Sequence, residues 1–185
     1  MKATLASQNR NKLGELRAAL PSWDIEPLTA VGWPAEDGET YEANARLKAR
    51  FGRALAGPDE WVLGEDSGIE CAALNGAPGL HSARWAPSGD QADALLERLS
   101  NESDRRARMV TVLLAVSPDG EERVGTGVLE GTIAMARRGT SGFGYDPVFV
   151  PAGYEQTCAE LGEDWKNENS HRARAAKALA AAVAR

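Results

Sequence analysis

Apolar positions recur along the chain in two rhythms, one typical of buried strands and the other of amphipathic helices. The apolar stretch 3–6 predicts a short buried strand. The segment after it, 12–20, carries leucines at positions 13, 16 and 20, which is the spacing of one helix face. The same criteria predict further elements, which are strands at 23–28, 61–64, 69–72, 108–116, 121–129 and 148–150 and helices at 40–55, 88–99 and 170–185.

Turn and cap residues separate these elements. Ser117-Pro118-Asp119-Gly120 lies between two predicted strands and is typical of a hairpin turn. Capping boxes are predicted at Ser88-Gly89-Asp90-Gln91 and at Thr157 with Glu160, and Thr40 is a predicted N-cap. Helices and strands alternate at both ends of the chain, with the hairpin in the middle. This order predicts an α/β fold whose sheet has mixed strand directions.

Composition indicates one soluble globular domain that spans residues 1–185. The chain has a formal net charge of −6, and 43% of its residues are hydrophobic, which excludes a disordered chain. The apolar run 109–116 is far shorter than the ~20 residues of a membrane helix, so no membrane partner is expected. Two separate cysteines argue against a disulfide framework or a zinc cluster and fit a reducing cytoplasm. The acidic balance argues against nucleic acid but allows a small phosphorylated substrate that is bound with a divalent cation.

A polar loop between the first strand and the first helix is a candidate anion site. It reads Ser7-Gln8-Asn9-Arg10-Asn11-Lys12, and free backbone N–H groups at a helix N-terminus favour anions. Asn9 and Lys12 can add donors, but the loop has no glycine and is not a Walker motif. The alternative is a plain turn with an asparagine cap.

Two acidic clusters are candidate ligands for a hard cation. Glu36-Asp37-Gly38-Glu39 precedes a helix on which Asn44 and Lys48 share one face, and Glu65-Asp66-Ser67-Gly68 is predicted as a loop after a buried strand. Magnesium typically takes one or two carboxylates together with water and substrate phosphates. The alternative is that both clusters are solvated surface loops.

A glycine-rich segment near the C-terminal third is a candidate base site. Gly142-Phe143-Gly144-Tyr145-Asp146-Pro147 offers aromatic rings for stacking, and Lys166, His171 and Arg172 can donate hydrogen bonds to ring oxygens. The alternative is that Phe143 and Tyr145 fill the core and that His171 simply begins a helix.

Five groups of motifs occur in one order along nearly the whole chain. They are Ser7 to Leu16; Glu36 to Tyr41 with Asn44-Ala45 and Lys48-Ala49; Glu65 to Glu70; Leu74 to Gly79 with Ser82-Ala83-Arg84; and Gly142 to Phe149 with Lys166-Asn167 and Ser170-His171-Arg172. In this order they resemble the inosine triphosphate pyrophosphatase family, hydrolases of non-standard purine nucleoside triphosphates.

The resemblance implies a two-lobed α/β fold with a long, twisted mixed sheet flanked by helices, an active cleft between the lobes, and a homodimer. It implies hydrolysis of ITP, dITP or XTP to the monophosphate and pyrophosphate with Mg²⁺. By the same resemblance Glu36 and Asp66 hold the metal, and Asp66 is the proton acceptor. The substrate contacts that it implies are Ser7, Gln8, Asn9, Arg10, Asn11, Lys12 and Lys48 for the triphosphate and Ser67, Phe143, Gly144, Tyr145, Asp146, Lys166, His171 and Arg172 for the rest of the nucleotide.

Three positions depart from the family pattern. Glu65 stands where an aspartate is commoner, Ala43 stands where many members have glutamate, and His81 replaces a usual aromatic residue. The role of Glu65 therefore stays open.

Two other functions also stay open, namely a pyrophosphatase for other modified nucleotides and a nucleotide sensor without catalysis.

Overall fold

The computed structural model describes residues 1–86 and 90–185. Its six strands are β1 (Lys2–Ala6), β2 (Asp24–Pro27), β3 (Trp61–Cys71), β4 (Arg106–Val116), β5 (Glu122–Ile133) and β6 (Phe149–Pro151). Its five α-helices are α1 (Arg10–Ala19), α2 (Tyr41–Arg53), α3 (Gln91–Arg98), α4 (Cys158–Asn169) and α5 (His171–Val183). Within these described ranges no helix is both long enough and apolar enough to cross a bilayer.

The strands form one mixed sheet in the order β2-β1-β3-β4-β5-β6. β1 pairs in parallel with both β2 and β3, whereas β5 and β6 are antiparallel. The parallel pair β1 and β2 needs a crossover connection, and α1 supplies it. The predicted α/β class with a mixed sheet is confirmed.

The chain divides into two compact units, each with its own apolar core. The first unit comprises Met1–Asp66, Thr111–Gly127 and His171–Arg185, and the second comprises Ser67–Val110 and Val128–Ser170. Large buried side chains of the first core are Leu5, Leu16, Ile25, Leu63, Leu113 and Leu179. Large buried side chains of the second core are Ile69, Leu95, Leu99, Met109, Leu129 and Phe149.

Most predicted elements are confirmed, but the acidic segment 65–68 is not a loop. β3 continues through it without a break, so the two strands predicted on either side are one strand. This prediction was wrong because a run of polar residues is typical of a loop, whereas Glu65 and Asp66 are buried in the strand by partners elsewhere in the fold. Those partners are described with the site below.

Helix starts agree with the predicted caps, with small shifts. Thr40 caps α2, and the predicted box of Thr157 with Glu160 begins α4. Asp90 caps α3, whereas Ser88 and Gly89 of the predicted box lie outside the described residues. α1 begins at Arg10 with Asn9 as its cap, two residues earlier than predicted, so Arg10 and Asn11 belong to the helix.

Glycines on two strands let helices pack directly against the sheet within the first unit. A Cβ atom at Gly64 of β3 would lie 2.0 Å from the carbonyl oxygen of Ala45 and 2.6 Å from the nitrogen of Ala49, both on α2. A Cβ atom at Gly127 of β5 would lie 2.0 Å from the carbonyl oxygen of His171, where α5 begins. α2 and α5 therefore lie closer to the sheet than any side chain at these positions would permit.

Replacing Gly64 with alanine is expected to lower the free energy of unfolding by ~1–3 kcal/mol, because the added methyl group must displace the α2 backbone. Urea unfolding followed by circular dichroism measures the loss. Gly14→Ala is the matched control. Apart from its chain neighbours and the adjoining backbone of α1, no atom lies within 4 Å of the added methyl group there, and alanine inside a helix is favoured over glycine by about 0.5–1 kcal/mol. Equal stability of the two variants would contradict this account of the α2 packing.

Candidate active site

The ammonium group of Lys48 joins two carboxylates from different parts of the first unit. Its Nζ lies 2.8 Å from Oε1 of Glu36 and 3.0 Å from Oδ1 of Asp66. Glu36 comes from the segment before α2, Lys48 from α2 itself, and Asp66 from β3. The Lys48 and Asp66 side chains are buried, whereas 34% of the Glu36 side chain is exposed. The predicted proximity of Glu36 and Asp66 is therefore present in the fold, and Lys48 contacts both acids.

Asn44 holds Asp66 and the acidic segment together. Its amide Nδ2 donates to Oδ2 of Asp66 at 3.1 Å, and its Oδ1 accepts from the backbone N–H of Gly38 at 2.8 Å. Asn44 lies one helical turn before Lys48 and is 1% exposed. One side chain thus restrains both the Asp66 carboxylate and the backbone two residues beyond Glu36.

Glu65 is the centre of a second buried network. It is fully buried, and its Oε2 lies 2.5 Å from Nζ of Lys12 on α1. Its Oε1 accepts hydrogen bonds from Nε and Nη2 of Arg172 on α5, at 3.3 and 3.2 Å. Arg172 also pairs through Nη1 with Glu15 of α1. Because three elements meet at one carboxylate, Glu65 positions the lysine of the candidate anion loop.

Burial and charge oppose each other at these groups. Burial alone would raise the pKa of Glu65, but Lys12, Arg172 and Lys48 hold that pKa well below its usual range. Burial raises the pKa of Asp66, and contacts with Lys48 and Asn44 only partly offset this. Burial disfavours the charged form of Lys48, yet Asp66, Glu65 and Glu36 raise its pKa. Glu65 is therefore a fixed anion, whereas Asp66 is the more basic of the two neighbouring carboxylates.

The candidate anion loop has the local structure of a capped helix start. The Asn9 side chain accepts from the N–H of Asn11 at 3.0 Å, and the Ser7 hydroxyl accepts from the N–H of Asn9 at 3.2 Å. Gln8 and Arg10 are exposed beside them. The capped turn and the anion site are compatible, because the helix dipole still points its positive end at this loop.

In the second unit the glycine-rich segment forms a compact polar cluster. Lys166 of α4 lies 2.7 Å from Oδ2 of Asp146, which also accepts the N–H of Phe143 at 2.8 Å. The Lys166 ammonium lies 4.9 Å from the centre of the Phe143 ring. A Cβ atom at Gly142, whose φ is +78°, would lie 2.2 Å from Oδ2 of Asp146. This position therefore needs glycine for both its backbone and its space.

Tyr145 and Ser82 link this cluster to β3. The Tyr145 hydroxyl donates to the carbonyl of Ser82 at 2.8 Å. The Ser82 hydroxyl accepts from the N–H of Ile69 at 2.9 Å and donates to the carbonyl of Gly79 at 2.6 Å. Tyr145 is half-buried, and burial raises the pKa of its phenol, so the hydroxyl stays a donor at neutral pH.

Three residues position the site although the sequence analysis assigned them no role, namely Asn44, Glu15 and Ser82. The role of Glu65, which the sequence left open, is to hold Lys12 and Arg172. The helical spacing of Asn44 and Lys48 was the one signal that pointed to Asn44. Glu15 gives no such signal, since its partner Arg172 lies 157 residues away along the chain. Ser67 lies within β3 after Asp66, Gly144 has a φ of +61°, and His171 is the first residue of α5.

Glu36 and Asp66 suit a magnesium ion whose other ligands are oxygens of the substrate phosphates and of water. Across residues 1–86 and 90–185 no three acidic, histidine or cysteine side chains are grouped to hold a metal unaided. Glu36 and Asp66 nevertheless share one cation, the Lys48 ammonium, at hydrogen-bonding distance. Magnesium is often bound through one or two carboxylates plus phosphate oxygens and water. The donor set therefore fits the predicted ion.

Relatives of this chain are similar over nearly its full length. It is 43% identical to the dITP/XTP pyrophosphatase of Leifsonia xyli, over 97% of this chain and 94% of that protein. It is 45% identical to the dITP/XTP pyrophosphatase of Symbiobacterium thermophilum, over 92% of this chain and 89% of that protein.

Solved structures agree with the fold. The Ham1 protein structure from Coxiella burnetii matches with a TM-score of 0.86 and 35% identity, over 100% of this chain and 98% of that one. The Staphylococcus aureus Ham1 protein matches with a TM-score of 0.84 and 34% identity, over the same shares. A model of the Ham1 family matches residues 3–182. With this span, and with relatives above 40% identity, the chain belongs to the Ham1 family.

Proposed function

We propose that this protein hydrolyses the non-standard purine nucleotides ITP, dITP and XTP to the nucleoside monophosphate and pyrophosphate, and so cleanses the nucleotide pool. The observation that carries the proposal is the pairing of Glu36 and Asp66 on the Lys48 ammonium. The dITP/XTP pyrophosphatase relatives, which match this chain nearly end to end, support the same reaction.

The triphosphate is proposed to bind at the N-terminus of α1. Ser7, Gln8, Asn9, Arg10, Asn11 and Lys12 supply backbone and side-chain donors there, and Lys48 supplies a second ammonium. A helix N-terminus with free N–H groups stabilises a polyanion. Glu65 keeps Lys12 oriented while leaving 14% of the lysine side chain exposed. The anion thus meets a lysine whose position is already fixed.

Asp66 is proposed as the base that orients and deprotonates the attacking water. The water attacks the α-phosphorus, and pyrophosphate leaves with the bond electrons. Burial raises the pKa of Asp66, which makes it a better proton acceptor than an exposed carboxylate. Glu36 and Asp66 would hold Mg²⁺, which supplies neutralisation of the charge on the phosphate oxygens. Lys12 and Lys48 add to that neutralisation.

The glycine-rich cluster is proposed to contact the nucleotide base. Phe143 and Tyr145 offer aromatic faces, and Lys166 offers N–H donors that suit the 6-oxo group of hypoxanthine or xanthine. Adenine carries a 6-amino donor, and leaving a buried donor without an acceptor costs roughly 1–3 kcal/mol. Further contacts to the nucleotide are proposed for Ser67, Gly144, Asp146, His171 and Arg172.

A homodimer and a cytoplasmic location complete the proposal. The family resemblance supports the homodimer. Cys71 and Cys158 are both buried thiols, and burial raises the pKa of the Cys71 thiol to about 11, so this thiol is inert at neutral pH. This state of the cysteines fits a reducing compartment.

Purified protein with Mg²⁺ is expected to release pyrophosphate from ITP and XTP ~5- to 150-fold faster, as kcat/KM, than from ATP, because one unpaired buried donor costs roughly 1–3 kcal/mol. Enzyme-coupled pyrophosphate detection measures the rates. A preference for pyrimidine triphosphates would indicate that the protein is a pyrophosphatase for other modified nucleotides. Binding of ITP without release of pyrophosphate would indicate a nucleotide sensor without catalysis.

Asp66→Asn is expected to lower kcat for ITP by ~10²–10⁴-fold, since the amide cannot accept the proton of the water. Asp37→Asn is the matched control, because Asp37 lies in the exposed part of the acidic segment and should retain activity. Turnover of the Asp66 variant near the normal rate at saturating Mg²⁺ would refute the assignment of the base.

Asn44→Ala is expected to lower kcat by roughly 10-fold or more while KM changes less, because a hydrogen bond to a charged group contributes about 1.5–3 kcal/mol. The exposed Asn101, replaced in the same way, serves as control. Steady-state kinetics on variants with intact thermal melts separate the loss of positioning from unfolding. An unchanged kcat would show that Asp66 does not depend on Asn44.

A further inference from the structure

Lys48 holds the position between the two carboxylates that a divalent cation would share. Its Nζ contacts Glu36 on one side and Asp66 on the other. We propose that the Lys48 ammonium competes with the divalent cation for these oxygens, so that the protein binds the metal tightly only together with a nucleotide. The inference rests on the proposed metal-dependent hydrolysis and adds an order of assembly to it.

The geometry makes the competition direct. The contacts of 2.8 and 3.0 Å set an upper limit of 5.8 Å on the separation of the two carboxylate oxygens. A Mg²⁺–oxygen bond is only about 2.1 Å long. An ion held by both oxygens would therefore lie in the region that the ammonium occupies, and the lysine and the metal would exclude each other there.

The charge balance points the same way. Glu36 and Asp66 together carry two negative charges, and Lys48 neutralises one of them. The Lys48 side chain is only 6% exposed, so water screens its charge weakly. Glu65, which also attracts Lys48, is itself paired with Lys12 and Arg172. An incoming divalent ion therefore meets a carboxylate pair of reduced charge and a positive group in contact with it.

A triphosphate removes this obstacle because it offers the ammonium new partners. Lysine carries a compact charge on a flexible four-carbon stem, and phosphate oxygens can replace both carboxylates as its acceptors. Once the ammonium moves onto the phosphates, both acids are available to the metal. Binding of the metal and of the nucleotide is then reciprocal, and each strengthens the other by the same factor.

The test measures Mn²⁺ binding to the protein without nucleotide, by the electron paramagnetic resonance signal of free Mn²⁺. Lys48→Met is expected to bind Mn²⁺ about tenfold tighter than the unmodified protein, a coupling within the usual range. Lys2→Met, which removes an exposed lysine and the same net charge, should bind Mn²⁺ as the unmodified protein does. The double variant Lys48→Met with Glu36→Gln should lose this gain in Mn²⁺ affinity.

Removal of a buried lysine can also destabilise the fold, so Lys48→Gln and thermal melts serve as a second readout. Mn²⁺ should raise the Tm of either folded Lys48 variant more than that of the unmodified protein, because a tighter ligand stabilises more. Calorimetry with the α,β-methylene analogue of ITP should show that Mn²⁺ strengthens nucleotide binding by a larger factor in the unmodified protein than in Lys48→Met.

Equal or weaker Mn²⁺ binding by the folded Lys48 variants overturns the inference. If the unmodified protein still releases pyrophosphate from ITP in that case, the proposed function stands without the competition. If Lys48→Met gains affinity but the unmodified protein releases no pyrophosphate, the competition stands and the proposed function falls.

Discussion

Two adjacent buried carboxylates in the middle of a strand impose the main constraint on the first unit. Glu65 is fully buried and Asp66 is 6% exposed. Successive strand residues point to opposite faces of a sheet, so the two acids take different hydrogen-bond and ion-pair partners. Glu65 takes Lys12 from α1 and Arg172 from α5, whereas Asp66 takes Lys48 and Asn44 from α2. Buried charges without partners cost several kcal/mol each, so β3 depends on all three helices.

Close packing of the helices makes these contacts possible. Gly64 immediately precedes the two acids, and its missing side chain lets the α2 backbone lie against β3. Gly125 and Gly127 of β5 do the same for α5, the helix that carries Arg172. The glycines at the contact points therefore let the helices approach the sheet closely enough for their long charged side chains to reach the buried acids. The same arrangement that satisfies the buried acids also sets lysines beside them, which a site for a polyanion and its cation requires.

The two acids have different electrostatic environments, although they are neighbours in the chain. Three cations hold the pKa of Glu65 low, so it remains an anchor for Lys12 and Arg172. Asp66 has one cation and one amide as partners, and burial raises its pKa. When two neighbouring acids have different pKa values, one can remain charged and position other side chains while the other accepts a proton. The departure at Glu65 is thus compatible with the rest of the site, because the longer side chain still reaches its partners on α1 and α5.

Local patterns were enough to predict the α/β class and most helix starts, whereas the family resemblance supplied Glu36 and Asp66, the two acids of the cluster around Lys48. Caps such as Thr40 and the four-residue spacing of Asn44 and Lys48 depend on neighbours within one helical turn, which the amino-acid order displays directly. The unbroken strand through Glu65 and Asp66, and the pairing of Arg172 with Glu15, could not be foreseen in this way. Their partners lie on other elements, and buried charged residues are stable inside a fold only where folding brings partners to them.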